Sequence, residues 1–488
     1  MSVGGLAAVA ILLPVVGAFV VLALGKWPNA REAATLVTGV ALVALVASMI
    51  GPVREGVVSG LTLVEVLPGV TLALEVEPLG LVFALVASIL WPVTSLYSIG
   101  YMRGHHEENQ TRFYFFFAIA IAAAMGVAFS ANLVTLFAFY EILTLCTFPL
   151  VTHHGTDEAR QAGRVYLGIL LTTSIGFQLL AIIWTWQLAG TVDFRPGGIL
   201  DGTASRGVLS AILVLFVFGV GKAAVMPFHR WLPAAMVAPT PVSALLHAVA
   251  VVKAGVFTIL KVAVYVFGID LLGALGSAPW LAWAAAATIL LGSLVAFTKD
   301  NLKARLAYST ISQLSYIVLG ALLANEAGIV GGGMHIAMHA FGKITLFFGA
   351  GAVLVAAHEK DISRMHGLGH AMPVTFATFF IGALSIVGVP PAGGAWSKWF
   401  LGLGTLEAGQ LGLLATLMVS SLLSLVYLLE IPVRAFFGRP PADAHRHEGI
   451  HEAPWPSLIA MILTALATLA LFVWPDLLHE LMTLVVAR

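Results

Sequence analysis

The chain has 488 residues, of which 60% are hydrophobic and only 10% are charged. Its 24 lysines and arginines balance its 24 aspartates and glutamates, so the formal net charge is zero. This composition lies far outside the range of soluble globular domains. It predicts a polytopic protein embedded in the lipid bilayer, and no nucleic-acid partner is expected.

Apolar runs near or above the roughly 20 residues needed to span a bilayer occur fourteen times. They lie at about 5–25, 33–51, 79–101, 112–129, 131–152, 163–189, 207–226, 241–268, 278–297, 304–324, 327–357, 371–388, 411–432 and 455–474. We therefore predict an all-α fold with about 14 transmembrane helices. The first run has no basic segment before it and no clear cleavage site, so we interpret it as a spanning helix and not as a signal peptide.

The single cysteine limits the chemistry that this chain can perform. Cys146 lies inside a predicted helix and can form neither an intrachain disulfide nor a metal cluster. Any iron–sulfur chemistry must then belong to another chain, and we expect no cofactor, no metal and no catalytic chemistry on this chain. The pair His105 and His106 in a polar loop is interpreted as solvated, because no further ligands stand at zinc-like spacing.

The distribution of lysine and arginine predicts the orientation. Fifteen of them fall in the loops that follow odd-numbered helices, whereas the even-numbered loops and the termini hold four, Arg54, Arg195, Arg206 and Arg488. This asymmetry places the odd loops in the cytoplasm and both termini outside the plasma (inner) membrane. The five residues left over are all lysines within apolar runs, namely Lys222, Lys253, Lys261, Lys343 and Lys398.

Lysines in the hydrocarbon region indicate function. An ammonium group there costs from a few to more than ten kcal/mol, so it is found facing a partner, water or a pathway. A desolvated lysine can lose its proton, whereas arginine effectively cannot. An inventory of lysines without arginine therefore suits a proton pathway.

Glu141 lies near the middle of the fifth run, where a lone carboxylate would be costly. We expect Lys222 on the seventh run to be its partner. An ion pair would keep Lys222 charged, and moving Glu141 away would favour release of the lysine's proton. The alternative interpretation is a static ion pair that fixes helix packing.

A proline-rich stretch follows Lys222 and predicts a broken helix. Pro227 and Pro233 interrupt helical hydrogen bonding, and such breaks at membrane depth line cavities or ion sites. In the next helix His247 precedes Lys253 by about one and a half turns. Lys261 lies near the outer end, where it could reach the headgroups, so we expect no relay role for it.

The eleventh run carries three titratable residues on one stripe. His335, His339 and Lys343 follow i, i+4, i+8 spacing, which stacks them at about 6 Å per step. Histidine exchanges protons near physiological pH and has two ring nitrogens. We interpret the stripe as a ladder for protons; the alternatives are core histidines or a metal pair, although no acidic residue joins it in sequence.

A second broken segment suggests an internal repeat. Prolines and glycines at 390–394 interrupt the twelfth run, and Lys398 follows them, five helices after Lys222. Helices four to eight and nine to thirteen would then form two inverted five-helix repeats. We divide the chain into 1–110 (three N-terminal helices for packing and assembly), 111–270 and 271–435 (the two repeats) and 436–488 (helix fourteen). Glu430 could receive a proton from Lys398 or approach the headgroups.

These motifs together resemble those of a known family. The chain contains YSIGYM, FYE, GK before PFHRWLP, APTPVSALLHA, DNLKARLAYSTISQLSY, HAFGK and GVPP before SK. They are similar to the proton-conducting, antiporter-like subunits shared by respiratory complex I, membrane-bound hydrogenases and Mrp-type sodium/proton antiporters, with the greatest likeness to the Mrp D subunit. The chain ends soon after helix fourteen, without the long lateral helix of the largest members.

The resemblance implies a role for each matching residue. Glu141 and Lys222 would be a paired switch, His247 and Lys253 linking groups, and Lys398 the terminal lysine. The ladder on the eleventh run would be the central relay. Two departures are Ala234, where many members carry an acidic residue, and Ala395–Trp396, where a GF pair is familiar.

The expected function is proton translocation in a larger complex. Other membrane subunits would be the partners, and the complex would exchange sodium for protons. A first alternative is a redox-driven complex, either NADH-quinone oxidoreductase or membrane-bound hydrogenase, whose cofactors sit in other chains. A second is a structural or coupling partner for another species such as inorganic carbon.

Overall fold

The computed structural model describes residues 2–57, 59–439 and 449–487, and is helical almost throughout. Arg446 and Arg488, which enter the charge count above, lie outside these residues. The first helices are α1 (Val3–Ala23), α2 (Pro28–Ala47), α3 (Ile50–Arg54), α4 (Pro78–Gly104), α5 (Gln110–Ala128), α6 (Leu133–Val151), α7 (Asp157–Thr173), α8 (Leu179–Ala189), α9 (Arg206–Gly219), α10 (Trp231–Ala234) and α11 (Thr240–Ala244).

The second half of the chain continues the same architecture. Its helices are α12 (Val251–Val262), α13 (Ile269–Ala274), α14 (Ser277–Thr298), α15 (Leu302–Leu322), α16 (Glu326–Ala357), α17 (Leu368–Ala371), α18 (Pro373–Val387), α19 (Gly394–Glu407), α20 (Leu411–Phe437), α21 (Trp455–Val473) and α22 (Asp476–Val486). Turns of π-helix lie at Ser174–Gln178, Leu245–Val249 and Ala263–Phe267, and 3₁₀ turns at Gly221–Ala223, Ala235–Val237 and Ile362–Arg364.

The described helices account for the predicted spans. Eleven continuous helical segments are long and apolar enough to cross a membrane, among them Asp157–Ala189 and Thr240–Phe267. The long helix α15 and the short apolar helices α9 and α18 supply three more. The prediction of a polytopic, all-α membrane protein with about 14 spans is confirmed.

Two of the spans are broken where glycine and proline predicted it. After α9 the backbone leaves the helix at Val220, and Ala224 adopts a left-handed conformation with φ of 54°. Between α18 and α19 the helix ends at Gly388, whose φ of 87° suits a residue without a Cβ. Each break leaves backbone carbonyl groups without a partner in their own helix.

The same backbone arrangement occurs at two places five spans apart. Asn132 caps the start of α6 and forms an isolated bridge with Asp193, which follows α8. Asn301 caps the start of α15 and bridges Asp361, which follows α16. This recurrence supports the predicted repeat, while the domain boundaries stay a prediction.

Two elements were not predicted from the sequence. An antiparallel hairpin joins β1 (Gly60–Leu67) to β2 (Val70–Glu75), with Gly69 in its turn at φ of 76°. The sequence signal was the alternation of apolar and polar residues around Pro68 and Gly69, which the acidic character of this segment obscured. The short helix α22 follows the last span.

Helix α16 occupies the centre of the molecule. It packs against α15, α18, α19 and α21, and also against α4 and α11. It spans 32 residues and is buried along almost its whole length. The helix with the His335, His339 and Lys343 stripe is therefore shielded from lipid on every side.

The caps at the repeated bridges give a stability prediction. Asn132 accepts a hydrogen bond from the backbone of Thr135 and donates one to the carbonyl of Thr71 in the hairpin, at 2.8 and 2.7 Å. Loss of an asparagine cap costs about 1 kcal/mol. We expect Asn132→Ala to lower the melting temperature of the purified protein, measured by tryptophan fluorescence, while the exposed Gln187→Ala leaves it unchanged. Equal melting temperatures for the two variants would contradict a structural role for the cap.

Candidate functional site

Most of the titratable residues predicted from the sequence lie in the protein interior, and six of them are almost completely buried. Three of these six lie on α16. Lys222 sits in the break after α9, His247 in the π-helical turn before α12, and Lys253 on α12. These three side chains and the three on α16 are at most 1% exposed. Lys398, on α19, is half-buried. Burial of so many ionisable groups requires that each find a polar partner.

Lys222 is bound by α6 through neutral oxygen atoms. Its Nζ donates to the carbonyl of Tyr140 at 2.8 Å and to Oγ1 of Thr144 at 2.5 Å. The same Nζ lies 3.1 Å from the centre of the Tyr140 ring, which adds a cation–π contact. Gly255 lets α12 approach the backbone of Lys222, because a Cβ at that glycine would collide with it.

The structure does not join Lys222 to Glu141 in the expected ion pair. Both carboxylate oxygens of Glu141 are buried and have no hydrogen-bond partner among the described residues. Glu141 follows Tyr140 directly in the chain, so it remains next to the carbonyl that holds the lysine. The two residues are neighbours, and their contact is not formed in this conformation.

Lys253 is joined to the central helix. Its Nζ lies 2.5 Å from Nδ1 of His339, whereas Nε2 of His339 has no partner among the described residues. His247 packs its ring at 4.7 Å from that of Phe347, and both its nitrogens are buried without a described partner. Such unpaired buried nitrogens fit positions where water binds.

We call the buried and half-buried lysines and histidines of this region the row, namely Lys222, His247, Lys253, His335, His339, Lys343 and Lys398. His335 extends the row toward the second break. Its ring centre lies 5.8 Å from that of His339. Its Nδ1 lies 2.8 Å from Oγ of Ser397, and its Nε2 lies 3.2 Å from Oε1 of Gln313. Both histidines of the ladder predicted on α16 therefore have polar contacts, His339 with Lys253 and His335 with Ser397 and Gln313.

Lys343 and Lys398 also bind neutral acceptors. Nζ of Lys343 donates to Oγ of Ser309 at 2.8 Å. Nζ of Lys398 donates to the carbonyls of Ile386 and Val387, at 2.8 and 3.0 Å, and to Oγ of Ser421 at 2.9 Å. The two carbonyls belong to the end of α18, so the second break supplies the lysine's partners.

Comparison with known proteins identifies the family. A family model described as "NADH:quinone oxidoreductase/Mrp antiporter, TM" matches residues 130–424. The chain belongs to this family. The matched range contains every residue of the row described above, from Lys222 to Lys398.

Relatives of this antiporter-like family come from different complexes. The chain is 32% identical over 420 residues to NADH-quinone oxidoreductase subunit L of Mycobacterium tuberculosis, covering 80% of this chain and 62% of the relative. It is 31% identical over 399 residues to a component of a probable K(+)/H(+) antiporter of Rhizobium meliloti, covering 79% of this chain and 38% of the relative. The chain thus spans about three fifths of the mycobacterial protein's length.

A solved structure has the same fold. A chain of the Mrp complex from Dietzia sp. matches with a TM-score of 0.88 at 22% identity, covering 100% of this chain and 97% of that chain. Two lineages of the antiporter-like family, one redox-linked and one exchanging cations, are therefore represented among the relatives.

Two residues in this family member lie elsewhere than expected. Glu430 does not contact Lys398; its carboxylate binds Arg305 at 2.7 Å and Nε of Arg434 at 2.8 Å. Lys261 does not reach toward headgroups. It is buried 3.4 Å from Glu77 and donates to the carbonyl of Ser130 at 2.7 Å, beside a cavity of about 370 Å³.

Three polar residues that were not predicted from the sequence contact the row. Ser309, Gln313 and Tyr316 follow i, i+4, i+7 spacing on α15 and face α16 and α19. The Tyr316 ring lies 5.7 Å from the His335 ring and 4.7 Å from Nζ of Lys398. Their common stripe within an apolar helix was the available signal.

The described residues contain no group of three histidine, cysteine or acidic side chains placed to hold a metal ion. The partners of the row are hydroxyl groups, carbonyl groups and imidazole nitrogens. The carbonyl groups accept hydrogen bonds, whereas the hydroxyl groups and imidazole rings can both donate and accept them. The arrangement is chemically suited to passing protons between lysine, histidine and water.

The contact between Lys222 and Thr144 gives a stability prediction. A hydrogen bond to a charged group contributes about 1.5–3 kcal/mol. We expect Thr144→Val, which keeps the shape and removes the hydroxyl, to lower the free energy of unfolding by a comparable amount. Thr144→Ser restores the acceptor and should recover most of it. Thermal unfolding of the purified protein would measure both, and equal stability of the valine and serine variants would contradict the contact.

Proposed function

We propose that this chain moves protons across the membrane as one subunit of a multi-subunit cation/proton antiporter of the Mrp type. The observation that carries this proposal is the row of buried lysines and histidines. Its contacts run from Lys253 through His339 and His335 to the second broken span, and Lys222 lies in the first broken span. Membership of the antiporter-like family supports it, as does the fold shared with a chain of the Mrp complex.

The contacts support a specific order of transfer groups. Glu141 and Lys222 lie at one end, and Lys253 contacts His339 on α16. His335 then leads through Ser397 and Tyr316 to Lys398. His247 and Lys343 would exchange protons with the other residues of the row through water. Glu430 would take no part in the transfer and would instead hold Arg305 and Arg434 in place.

The lysines of the row lack a tightly bound counter-charge. Among the described residues, Lys261 is the one membrane lysine within 4.0 Å of a carboxylate. A lysine held by neutral acceptors is not locked in its charged form by a direct ion pair. Glu141 would supply that counter-charge transiently by moving toward Lys222.

A second candidate function is the proton-pumping subunit of a redox-driven complex. The likeness to NADH-quinone oxidoreductase subunit L favours it. The two candidates use the same row and differ in what drives it. We propose in either case that the chain resides in the plasma membrane with its basic loops in the cytoplasm, its termini outside, and other membrane subunits as partners.

The visible absorption spectrum of the complex distinguishes the two candidates. The complex would be isolated in mild detergent through a tag on this chain. A colourless multi-subunit complex is expected for the antiporter. Flavin or iron–sulfur bands with their polypeptides would support the redox-driven alternative instead, and isolation of this chain by itself would contradict both.

The switch residue gives the central prediction. We expect Lys222→Ala to abolish ion-coupled proton transport, because the proposed path needs a protonatable group where the break after α9 meets α6. Transport is measured in membrane vesicles with a pH-sensitive dye, and assembly by native electrophoresis. Lys26→Ala, on a residue outside the row, is the matched control. Full transport by assembled Lys222→Ala would refute the role of this lysine.

The ladder gives a milder prediction. His339→Ala removes the partner of Lys253 on α16, so transport should slow by roughly 10²-fold, the scale at which a positioned proton-transfer group contributes. His358, which follows the end of α16, provides a control substitution with asparagine, a residue that tolerates its positive φ. Unchanged rates in His339→Ala would reduce the ladder to a packing role.

A further inference from the structure

A carboxylate on the basic face of the protein is surrounded by three histidines. Glu107 lies in the turn after α4, and His153 and His154 follow the end of α6. The Glu107 carboxylate is 3.0 Å from Nδ1 of His105 and 3.2 Å from Nε2 of His154. Nε2 of His153 is 3.7 Å away. We call these four residues the Glu107 cluster.

The cluster extends from solvent into the protein. The side chains of His105 and His154 are 38% and 36% exposed, whereas those of Glu107 and His153 are 5% and 2% exposed. Neither ring nitrogen of His153 has a hydrogen bond within 3.5 Å among the described residues, although the ring lies near the Glu107 carboxylate and the backbone of Glu108. A buried imidazole held this loosely fits a group that exchanges protons with a neighbour or with water.

The charges around Glu107 favour a proton held on His154. Burial would raise the pKa of Glu107, but the hydrogen bonds and charges of the surrounding histidines, with His154 first, together outweigh burial, so that this pKa is lowered. The hydrogen bond from His154 to Glu107 raises the pKa of His154. Burial lowers the pKa of His153. The ion pair between Glu107 and His154 therefore persists over the pH range that lies between the lowered pKa of Glu107 and the raised pKa of His154.

Two other charged groups face the cluster from neighbouring helices. Arg112, on α5, donates to the carbonyl of His153 at 2.7 Å. Lys303, on α15, donates to the carbonyl of Ala238 at 2.6 Å. Its positive charge works against protonation of His154 and so opposes the rise in the pKa of that histidine. The exposed loop residues His106 and Glu108 complete the titratable groups of this turn.

The cluster lies at the end of a polar stripe that reaches the row. The His105 ring stacks on Tyr101 at 5.6 Å, and Tyr101 interacts with Thr240 at the start of α11. Counted from Thr240, Ser243 and His247 stand at positions i+3 and i+7, which places all three on the same face of this helical segment. The hydroxyl of Ser243 is buried without a described partner, so this stripe also fits bound water.

We propose that the Glu107 cluster is the proton-loading site through which the solution on the basic face exchanges protons with the buried row. His154 and His105 meet the solution, the Glu107 carboxylate stabilises the proton on His154, and His153 and the Thr240–His247 stripe lead inward. This inference rests on the proposed function. It concerns the residues that connect the row to solvent, and none of them belongs to the row itself apart from His247.

The alkaline limit of transport tests the proposal. The complete complex would be studied in inside-out vesicles, with the pH on the basic face varied from about 6 to about 9 and the pH of the lumen held constant. Without the Glu107 carboxylate, His154 should release its proton at lower pH. We therefore expect Glu107→Gln to shift the alkaline midpoint of the transport rate down by roughly one unit and to leave the rate at the acidic end near that of the parent protein.

Controls separate a loading role from a structural one. His106→Asn changes a neighbouring histidine outside the cluster, at a positive φ that asparagine tolerates, and should leave the profile unchanged. Should Glu107→Gln fail to assemble, His154→Gln on the surface should flatten the alkaline limb of the profile, because it removes the titrating ring. Unchanged profiles in the assembled variants would overturn the loading site. Loss of transport in Lys222→Ala under the same conditions would show that the proposed function survives that outcome.

Discussion

Removal of an ammonium group from water is among the costliest steps in building a membrane protein, and this chain does it with lysines held by neutral oxygen atoms. Lys398 shows how the backbone makes that possible. The last carbonyl groups of a helix have no partner in their own helix and carry the negative end of its dipole. The break after α18 brings the carbonyls of Ile386 and Val387 to the lysine. The broken spans are thus part of the solvation of the buried charges.

Neutral acceptors also distinguish the row from the other buried lysine. Lys261 lies against Glu77, whose carboxylate additionally accepts hydrogen bonds from the backbone of Leu79 and Gly80 at the start of α4. That pair would leave a charge unbalanced if the lysine lost its proton. Lys222 is bound instead by the neutral groups of Tyr140 and Thr144 in the conformation described. In the proposed function, Glu141 would control the lysine's charge by approaching or withdrawing.

The sequence predicted the parts of this site that follow from local patterns. Glycine and proline located both breaks, and helical spacing placed His335 and His339 on one face. Contacts between distant segments could not be obtained in this way. Glu430 lies on α20, the helix after that of Lys398, but binds Arg305 from α15. Lys222 binds Tyr140 and Thr144, which precede and follow Glu141 in the chain, and not Glu141 itself. Rotation of a helix by one residue decides such contacts, and hydrophobicity alone does not determine that rotation when a helix is buried all round.

Helix α16 connects the two broken spans mechanically as well as chemically. His339 contacts Lys253, on the helix that packs against the first break, and His335 contacts Ser397 on α19, one residue before Lys398. Gly331 and Gly342 lie where α19 and the end of α18 approach α16 so closely that a Cβ would be crowded. A helix packed this tightly cannot shift at one break without changing its contacts at the other. In the proposed function, a change in the charge of Lys253 would then alter the hydrogen bonding of His335, and transfer steps at the two breaks would be coupled through one rigid element.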